Sequence, residues 1–225
     1  MAITTCIFDA YGTLFDVNAA ARLAAAEPGQ TALAAVWPAL AAEWRRKQLE
    51  YTWLRAVAGR HVDFWQVTQD SLDWAMEAAS LTDAALHARL LALYYDLPAY
   101  PEVPALLGDL RARGLATGIL SNGTPAMLNA ACTSSGISDL LDAVLSVESL
   151  GIYKPHPSVY GLVTARFGCT PDQVIFISAN GWDAAGAAAF GFRTVWINRT
   201  GAPVDRLYAQ PAHVLPDLSA LPGLL

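Results

Sequence analysis

An aspartate directly follows a short apolar run near the start of the chain, in the stretch CIFDAYGTLFD from Cys6 to Asp16. A carboxylate at the tip of a buried strand, here Asp9, would stand on a rigid element and could act as a nucleophile. Tyr11 and Thr13 follow it closely. Three further apolar segments also end in polar residues. These are Ser121-Asn122-Gly123, Lys154-Pro155-His156-Pro157 with Tyr160 behind it, and Ser178-Ala179-Asn180-Gly181-Trp182-Asp183.

The elements that would position these residues are short buried strands alternating with helices. Near-continuous apolar runs, typical of parallel strands covered on both faces, predict strands at 5–8, 116–120, 143–147, 174–177 and 194–197. Helical patterns at 104–113, 125–135, 156–167 and 182–190 are each followed by a glycine. This alternation predicts an α/β fold with a doubly wound, Rossmann-like parallel sheet. Ligands bind beyond the carboxyl ends of the strands in such sheets, so we expect the four polar loops to meet in one crevice.

The stretch 16–97 has a different character. It is rich in Ala, Leu and Trp at helical spacing, without a convincing strand. Asp63 with Gln66 predicts one helix start, and Thr82-Asp83 predicts another. We therefore predict a helical cap (lid) at 16–97, inserted after the first strand of a core formed by 1–15 and 98–225. A helical cap of this kind can close a site from water.

Composition limits the classes of function. The 225 residues are 54% hydrophobic and 15% charged, which indicates a globular protein with a sizeable core. The net charge of -6 argues against a nucleic-acid partner, although local positive charge can still bind a small anion. Cys6, Cys132 and Cys169 are widely spaced without a CxxC pair, as expected for reduced thiols in a cytoplasmic protein. We expect neither a signal peptide nor a membrane span.

The polar loops together resemble the motifs of the haloacid dehalogenase superfamily, carried here by Asp9, Thr13, Ser121, Lys154 and Asp183. Most members of that family are magnesium phosphatases, with a second aspartate two residues after the first and further carboxylates near the last motif. Tyr11 and Ala179 stand at those positions here. Because Mg²⁺ prefers several oxygen ligands, we expect no metal site and no other cofactor.

These departures match the branch of the L-2-haloacid dehalogenases. The stretches that resemble this branch are FDAYGTLFDV, Trp44-Arg45 followed by KQLEYTWLR, Phe64-Trp65, LSNG, KPHP and SANGWD. One local difference is Ala179, where the branch leads us to expect a serine. The resemblance implies hydrolytic removal of halide from C2 of a short L-2-haloacid, giving the D-2-hydroxy acid by inversion through an ester on Asp9.

The resemblance also assigns roles around that ester. Asp9 must be ionised, so a cation is expected beside it, and Lys154 is the candidate. Thr13 and Ser178 are expected to hold Asp9 and Lys154 by hydrogen bonds. Asp183 is the expected general base for ester hydrolysis, steered by Asn180 and Lys154.

The substrate needs three kinds of contact. The departing halide requires preorganised donors, which the resemblance places on Arg45, Asn122 and the edge of Trp182. Ser121 and backbone N–H groups after Asp9 are expected to bind the substrate carboxylate. The apolar wall around C2 is expected from Tyr11, Leu49, Phe64 and Trp182.

Simpler explanations stand beside these roles. Asp9 could be an ordinary turn residue, Asp183 a helix-capping residue, and Arg45 part of a solvated charge run. Phe64 could serve packing alone, and Tyr160 could either hydrogen-bond in the site or pack. The alternative functions are a Mg²⁺-dependent phosphatase of the same superfamily and a non-catalytic interaction protein that retains the fold. A homodimer formed through the helical cap is expected from the resemblance, and the Trp-rich segment 37–74 is compatible with it.

Overall fold

A computed structural model describes residues 2–225, which form one six-stranded parallel sheet surrounded by helices. The strands are β1 (Thr5–Phe8), β2 (Ala116–Ser121), β3 (Ala143–Ser146), β4 (Val174–Ser178), β5 (Arg193–Ile197) and β6 (His213–Leu215). Their order is β3-β2-β1-β4-β5-β6, which confirms the predicted doubly wound sheet. The first strand is central, since Phe8 pairs with both Ile119 and Ile177.

The buried strands follow the apolar runs of the sequence. All four residues of β1 and all five of β4 are buried, as expected for strands covered on both faces. The strand β6 was not predicted. It has three residues at the sheet edge, and His213 and Val214 are exposed, so no apolar run marks it.

Four helices cover the faces of this sheet: α5 (Val103–Ala112), α6 (Pro125–Ser134), α7 (Pro157–Phe167) and α8 (Gly181–Phe190). Helices are numbered in chain order, and the first four lie between β1 and α5. They coincide with the predicted helices to within one residue at each end. Gly168 and Gly191 follow α7 and α8 with φ of 62° and 109°. These left-handed conformations end the helices at little steric cost because glycine has no Cβ.

The stretch between β1 and α5 contains four helices joined by loops: α1 (Ala19–Ala25), α2 (Thr31–Ala58), α3 (Phe64–Ala78) and α4 (Ala84–Tyr95). Asp63 accepts a hydrogen bond from the N–H of Gln66, and Asp83 accepts from those of Ala85 and Leu86, so both predicted helix starts are found.

Within the described residues 2–225, no helix is long and apolar enough to cross a bilayer.

The chain leaves the core for these helices and returns to it at the same place. The N–H of Asp16 donates to the carbonyl of Pro98 at 3.0 Å, and the N–H of Tyr100 donates to that of Leu14 at 2.9 Å. Two hydrogen-bonded connections therefore anchor the helical segment just after the nucleophile loop. The division into a core of 1–15 and 98–225 and a helical cap of 16–97 stays a prediction.

A second contact ties the helical segment to the core. Glu148 accepts hydrogen bonds from the backbone N–H of Phe64 at 3.1 Å and pairs with His61 Nε2 at 2.9 Å. The hydroxyl of Tyr153 donates to the carbonyl of Val62. The start of α3, and Phe64 with it, is thereby held over the carboxyl ends of the strands.

Candidate active site

The carboxylate of Asp9 lies at the end of β1 and is surrounded by donors. Its Oδ2 accepts from the Thr13 hydroxyl at 3.0 Å and from Asn180 Nδ2 at 2.9 Å. Its Oδ1 accepts from Lys154 Nζ at 3.1 Å. The side chain is 8% exposed. Three donors on one buried carboxylate fix its orientation, which in-line attack by a carboxylate nucleophile requires.

The Lys154 ammonium joins two carboxylates. Besides Asp9 it donates to Asp183 Oδ2 at 2.8 Å, and its side chain is 1% exposed. Burial alone would lower the pKa of Lys154, but the charges and hydrogen bonds of Asp183 and Asp9 outweigh it, so this pKa lies above its ordinary value. The lysine thus remains a cation beside Asp9.

Asp183 is fully buried near the start of α8. Its Oδ1 accepts from the Tyr160 hydroxyl at 2.8 Å, while its Oδ2 accepts from Lys154. Burial raises the pKa of Asp183, and the neighbouring Lys154 opposes this rise without cancelling it. A carboxylate with a raised pKa is a stronger base than an ordinary aspartate. Of the two possibilities for Tyr160, hydrogen bonding in the site is the one observed.

The contact between Tyr160 and Asp183 requires a glycine on α8. A Cβ at Gly186 would lie 2.5 Å from the Tyr160 hydroxyl and 2.7 Å from the Cβ of Pro155. Real Cβ atoms do not come so close, so any side chain at 186 would push Tyr160 away from Asp183. The small residue is needed for the hydrogen bond that orients the carboxylate.

We expect Gly186→Ala to lower kcat by about 10- to 100-fold, because displacing a positioning group by about an ångström is enough for such a loss. Overpacking should also lower the free energy of unfolding by about 1–3 kcal/mol. Steady-state kinetics and thermal unfolding measure the two effects. Gly161→Ala is the matched control, since a Cβ at Gly161 comes no closer than 4.0 Å to Phe190. Equal behaviour of the two variants would contradict this explanation.

Arg45 enters the site from α2. Its Nη2 donates to the backbone carbonyl of Tyr11 and to Asn180 Oδ1, both at 3.3 Å. The next residues of the charge run behave differently, since Arg46 pairs with Glu43 and Lys47 pairs with Glu50 near the surface. The solvated-face explanation therefore describes Arg46 and Lys47, whereas Arg45 turns inward toward the end of β1.

A small, narrow cleft lies in front of Asp9. Nine of the fourteen predicted site residues line it: Asp9, Tyr11, Arg45, Leu49, Phe64, Ser121, Asn122, Asn180 and Trp182. The remaining five are almost fully buried and lie behind or beside the Asp9 carboxylate: Thr13, Lys154, Tyr160, Ser178 and Asp183. The cleft is too small for a macromolecular substrate.

Two predicted hydrogen-bond assignments differ from those observed. The Ser178 hydroxyl accepts from the N–H of Asn180 at 3.1 Å, and among the described residues it bonds neither Asp9 nor Lys154. Asn180 donates to Asp9 rather than steering Asp183. The cause is local: Asn180 immediately precedes α8 in an extended conformation, which turns its amide back toward the tip of β1. Ser178 thus supports the loop that carries Asn180.

The residues after β2 supply further donors. The Asn122 Oδ1 accepts from the backbone N–H of Lys154 at 3.0 Å, which leaves the Asn122 NH₂ group as a donor in the cleft. The Ser121 oxygen accepts from the N–H of Gly123 at 3.1 Å, so its own O–H remains to donate. Trp182 Nε1 is buried without a partner among the described residues. Three donors are therefore available among the residues that line the cleft.

The side chains around Asp9 are poor ligands for a magnesium ion. The carboxylates of Asp9 and Asp183 are both already paired with the Lys154 ammonium. Tyr11 is buried, and burial raises its pKa well above the ordinary value, so it presents no negative charge. Within residues 2–225 no three His, Cys, Asp or Glu side chains cluster as metal ligands. These side chains do not fit a hard divalent cation.

Some residues that support the site were not predicted. Arg199 follows β5, donates to the backbone carbonyl of Thr13 at 3.2 Å and lies over the Tyr100 ring at 3.7 Å. The rule that polar residues follow strands could have identified it. Gln48 accepts hydrogen bonds from Arg45 and from the Tyr94 hydroxyl. Gln48 and Tyr94 lie in the helical segment, where no strand end marks them as site residues.

Comparisons with known proteins agree with this geometry. A family model described as haloacid dehalogenase-like hydrolase matches residues 3–191. The chain is 45% identical to (S)-2-haloacid dehalogenase 1 of Pseudomonas sp. (strain CBS-3), over 99% of this chain and 96% of that relative. The solved structure of a dehalogenase with an intermediate complex has a TM-score of 0.94 and 41% identity, covering 100% of this chain and 97% of that one. The L-2-haloacid dehalogenase from Xanthobacter autotrophicus with chloropropionic acid covalently bound has a TM-score of 0.86 and 37% identity, covering 99% and 98%.

Proposed function

The chain belongs to the haloacid dehalogenase-like hydrolases, and we propose that it hydrolyses short L-2-haloacids to D-2-hydroxy acids through an ester on Asp9. One observation carries the proposal. A buried carboxylate held by Thr13, Asn180 and Lys154 faces a cleft that also holds Arg45. A fixed anion and an available cation on opposite sides of C2 are what displacement of a halide requires.

In the first step, Asp9 attacks C2 from the side opposite the halogen. A bond forms between a carboxylate oxygen and C2, and the carbon–halogen bond breaks with its electron pair leaving on the halide. The Arg45 guanidinium, the NH₂ group of Asn122 and Trp182 Nε1 are the proposed donors to that halide. Ser121 and backbone N–H groups after Asp9 bind the substrate carboxylate. Tyr11, Leu49 and Phe64 form the apolar wall that excludes water during this step.

In the second step, water attacks the ester carbonyl of Asp9. Asp183 takes one proton of this water. The bond between that carbonyl carbon and the oxygen carried by C2 then breaks, and this oxygen leaves as the product hydroxyl with the other proton, which restores the Asp9 carboxylate. The Lys154 ammonium lies between both carboxylates, so it can stabilise the oxyanion that forms on Asp9. The configuration at C2 is inverted once, in the first step, and L substrate therefore gives D product.

The test is halide release from the separate L and D forms of 2-chloropropionate in the presence of EDTA. The proposal expects release from the L form alone, with D-lactate as product. The Mg²⁺-dependent phosphatase alternative instead expects no halide, but phosphate release from a generic ester once Mg²⁺ is added. A folded protein that is inert toward a broad panel of haloacids and phosphate esters would support the non-catalytic alternative.

The dependence of kcat on pH follows from the two shifted groups. Asp183 must be ionised to accept a proton, and because burial raises its pKa, we expect kcat to fall on the acid side at a pH above the ordinary aspartate value of about 3.9. Lys154 must stay charged, and because its pKa is raised, we expect kcat to hold up to at least about pH 10.4. Initial rates across this range measure both limits. An alkaline loss near pH 8 would contradict the assignment of Lys154.

Two further properties are proposed with this function. A homodimer is supported by large apolar side chains left exposed on α2, with Leu54 58% and Val57 90% exposed. Light scattering after size-exclusion chromatography measures the oligomeric state.

A cytoplasmic location is supported by the unpaired thiols of Cys6, Cys132 and Cys169.

A further inference from the structure

A buried polar network in the helical segment holds the Arg45 side chain from behind. Arg45 Nη1 donates to Gln48 Oε1 at 2.8 Å, the shortest hydrogen bond that the guanidinium makes. The same oxygen accepts from the Tyr94 hydroxyl at 3.1 Å. Gln48 Nε2 donates to the Thr68 hydroxyl oxygen at 2.8 Å. Gln48 and Thr68 are fully buried and Tyr94 is 3% exposed, so the network is shielded from water.

The hydrogen bonds of this network fix the orientation of the Gln48 amide. The Thr68 hydroxyl donates to the backbone carbonyl of Phe64 at 2.7 Å, so its oxygen is free to accept from Gln48 Nε2. Gln48 Oε1 then faces two donors, a guanidinium and a phenol. A flipped amide would set its NH₂ group against the Arg45 donor and leave both groups unsatisfied, which is costly in a buried site.

Aromatic packing and the charge state of Tyr94 keep the network in place. Tyr94 stacks on Tyr11 with ring centroids 5.7 Å apart and packs against Trp44 at 4.8 Å. Trp44 Nε1 donates to the backbone carbonyl of Thr68 at 2.9 Å. Burial raises the pKa of Tyr94, so it stays a neutral phenol that can donate. These contacts hold Tyr94 and Thr68, the two partners of the Gln48 amide besides Arg45, in place.

All acceptors of Arg45 in this arrangement are neutral: the Gln48 amide, the Tyr11 carbonyl and the Asn180 amide. A carboxylate in their place would satisfy the positive charge before a substrate arrived. Neutral acceptors direct the guanidinium while leaving its charge to interact with an anion in the cleft. The two contacts on the Asp9 side are long, at 3.3 Å, so the Gln48 contact sets the position of the guanidinium.

We propose that Gln48, locked by Tyr94 and Thr68, is a positioning residue that aims the Arg45 guanidinium at the departing halide. This inference rests on the proposed function. Arginine has several rotatable bonds, and without a fixed acceptor behind it the side chain would sample conformations that do not meet the halide. The loss of activity on replacing Gln48 should therefore be larger for a leaving halide that needs a donor more strongly.

The test compares Gln48→Leu and Tyr94→Phe with the wild type, using kcat/KM for the L forms of 2-chloro-, 2-bromo- and 2-iodopropionate. This ratio reports the steps up to halide release. Chloride is the poorest leaving group of the three and concentrates its charge most, so its displacement depends most on Arg45. We expect Gln48→Leu to lower kcat/KM for the chloro acid by about 30-fold and for the iodo acid by about threefold. Tyr94→Phe removes one neutral hydrogen bond, and about fivefold is expected for the chloro acid.

Tyr95→Phe is the matched control, because Tyr95 is the next residue on α4 and packs on Trp65 at 5.1 Å, outside the network. It should leave all three substrates unchanged. A uniform loss across the three halides in Gln48→Leu and Tyr94→Phe, or no loss, would overturn the positioning role. If the wild type releases no halide at all, the proposed function itself fails, which is a distinct result. Thermal unfolding identifies a variant that has lost its fold. If Gln48→Leu is such a variant, the three halides are compared in Tyr94→Phe, and that comparison decides whether the positioning role holds.

Discussion

We expect Asp9→Asn to abolish halide release, with kcat falling by at least about 10⁴-fold, while the protein stays folded. An amide in place of the carboxylate is a poor nucleophile toward C2, and no other carboxylate is placed to substitute for it. Asp183 is fully buried behind Lys154, with one oxygen on Lys154 and the other on Tyr160. The fold should survive because the Lys154–Asp183 ion pair remains. Initial rates with L-2-chloropropionate and thermal unfolding measure the two effects.

Asp16→Asn is the control for Asp9→Asn, since Asp16 lies in the same loop but pairs with Arg22 toward solvent. It should retain near-normal activity. Substantial halide release by Asp9→Asn would mean that water attacks C2 directly, and the covalent mechanism would then be wrong.

Asp183→Asn should release about one halide per active site and then stop. The first step needs Asp9 and a cation beside it, and Lys154 still contacts Asp9 in this variant. The second step needs a base for the attacking water, and an amide is not one. The ester should therefore accumulate on Asp9 and appear as an added acyl mass in the intact protein. Rapid-quench measurement of halide together with mass spectrometry detects both.

Asp139→Asn, at an exposed position far from these contacts, provides the comparison and should turn over normally. A variant Asp183→Asn that gives no initial burst would show that Asp183 is needed before the ester forms, as the partner that places Lys154. Steady turnover in Asp183→Asn would remove it from the mechanism altogether.

The centre of the sheet could be predicted because its strands are buried on both faces. The runs that became β1 and β4 are apolar at every position but the ends, and their outer neighbours β2 and β5 are buried at every residue but the first. Helix ends were marked by residues with a clear local function, such as Asp63 before α3 and Gly191 after α8. The edge strand β6 could not be found, because a short strand with exposed side chains has no apolar pattern.

The site residues were predictable as a set, but their pairings were not. The position of each polar loop follows from the strand before it, so Asp9 and Lys154 could be expected near each other. Which atom bonds which depends on backbone conformation at single residues. The extended Asn180 turned its amide to Asp9, and Ser178 was left to support that loop. Arg45 and Gln48 are three residues apart on α2, so helical spacing places them side by side. The contact of Gln48 with Tyr94 depends on where α4 lies relative to α2, which periodicity does not specify.

Tyr11 illustrates how one residue distinguishes the chemistry of this site from that of a phosphatase. It occupies the place of a second carboxylate, and its ring packs against Phe64 and stacks on Tyr94, each with centroids 5.7 Å apart. Gly123 makes room for it, because a Cβ there would lie 2.7 Å from the Tyr11 ring. We propose that the Tyr11 ring, as part of the apolar wall around C2, takes the place of the second aspartate of the wider family.

The most direct test of the account is a single turnover of L-2-chloropropionate, with enzyme in excess, in water enriched in heavy oxygen. If Asp9 attacks C2, the hydroxyl oxygen of the product comes from the carboxylate, and the water oxygen is retained in Asp9. Mass spectrometry of the peptide containing Asp9 should then show the label, and the D-lactate formed should carry none. Label in the lactate and none in the peptide would contradict the ester mechanism.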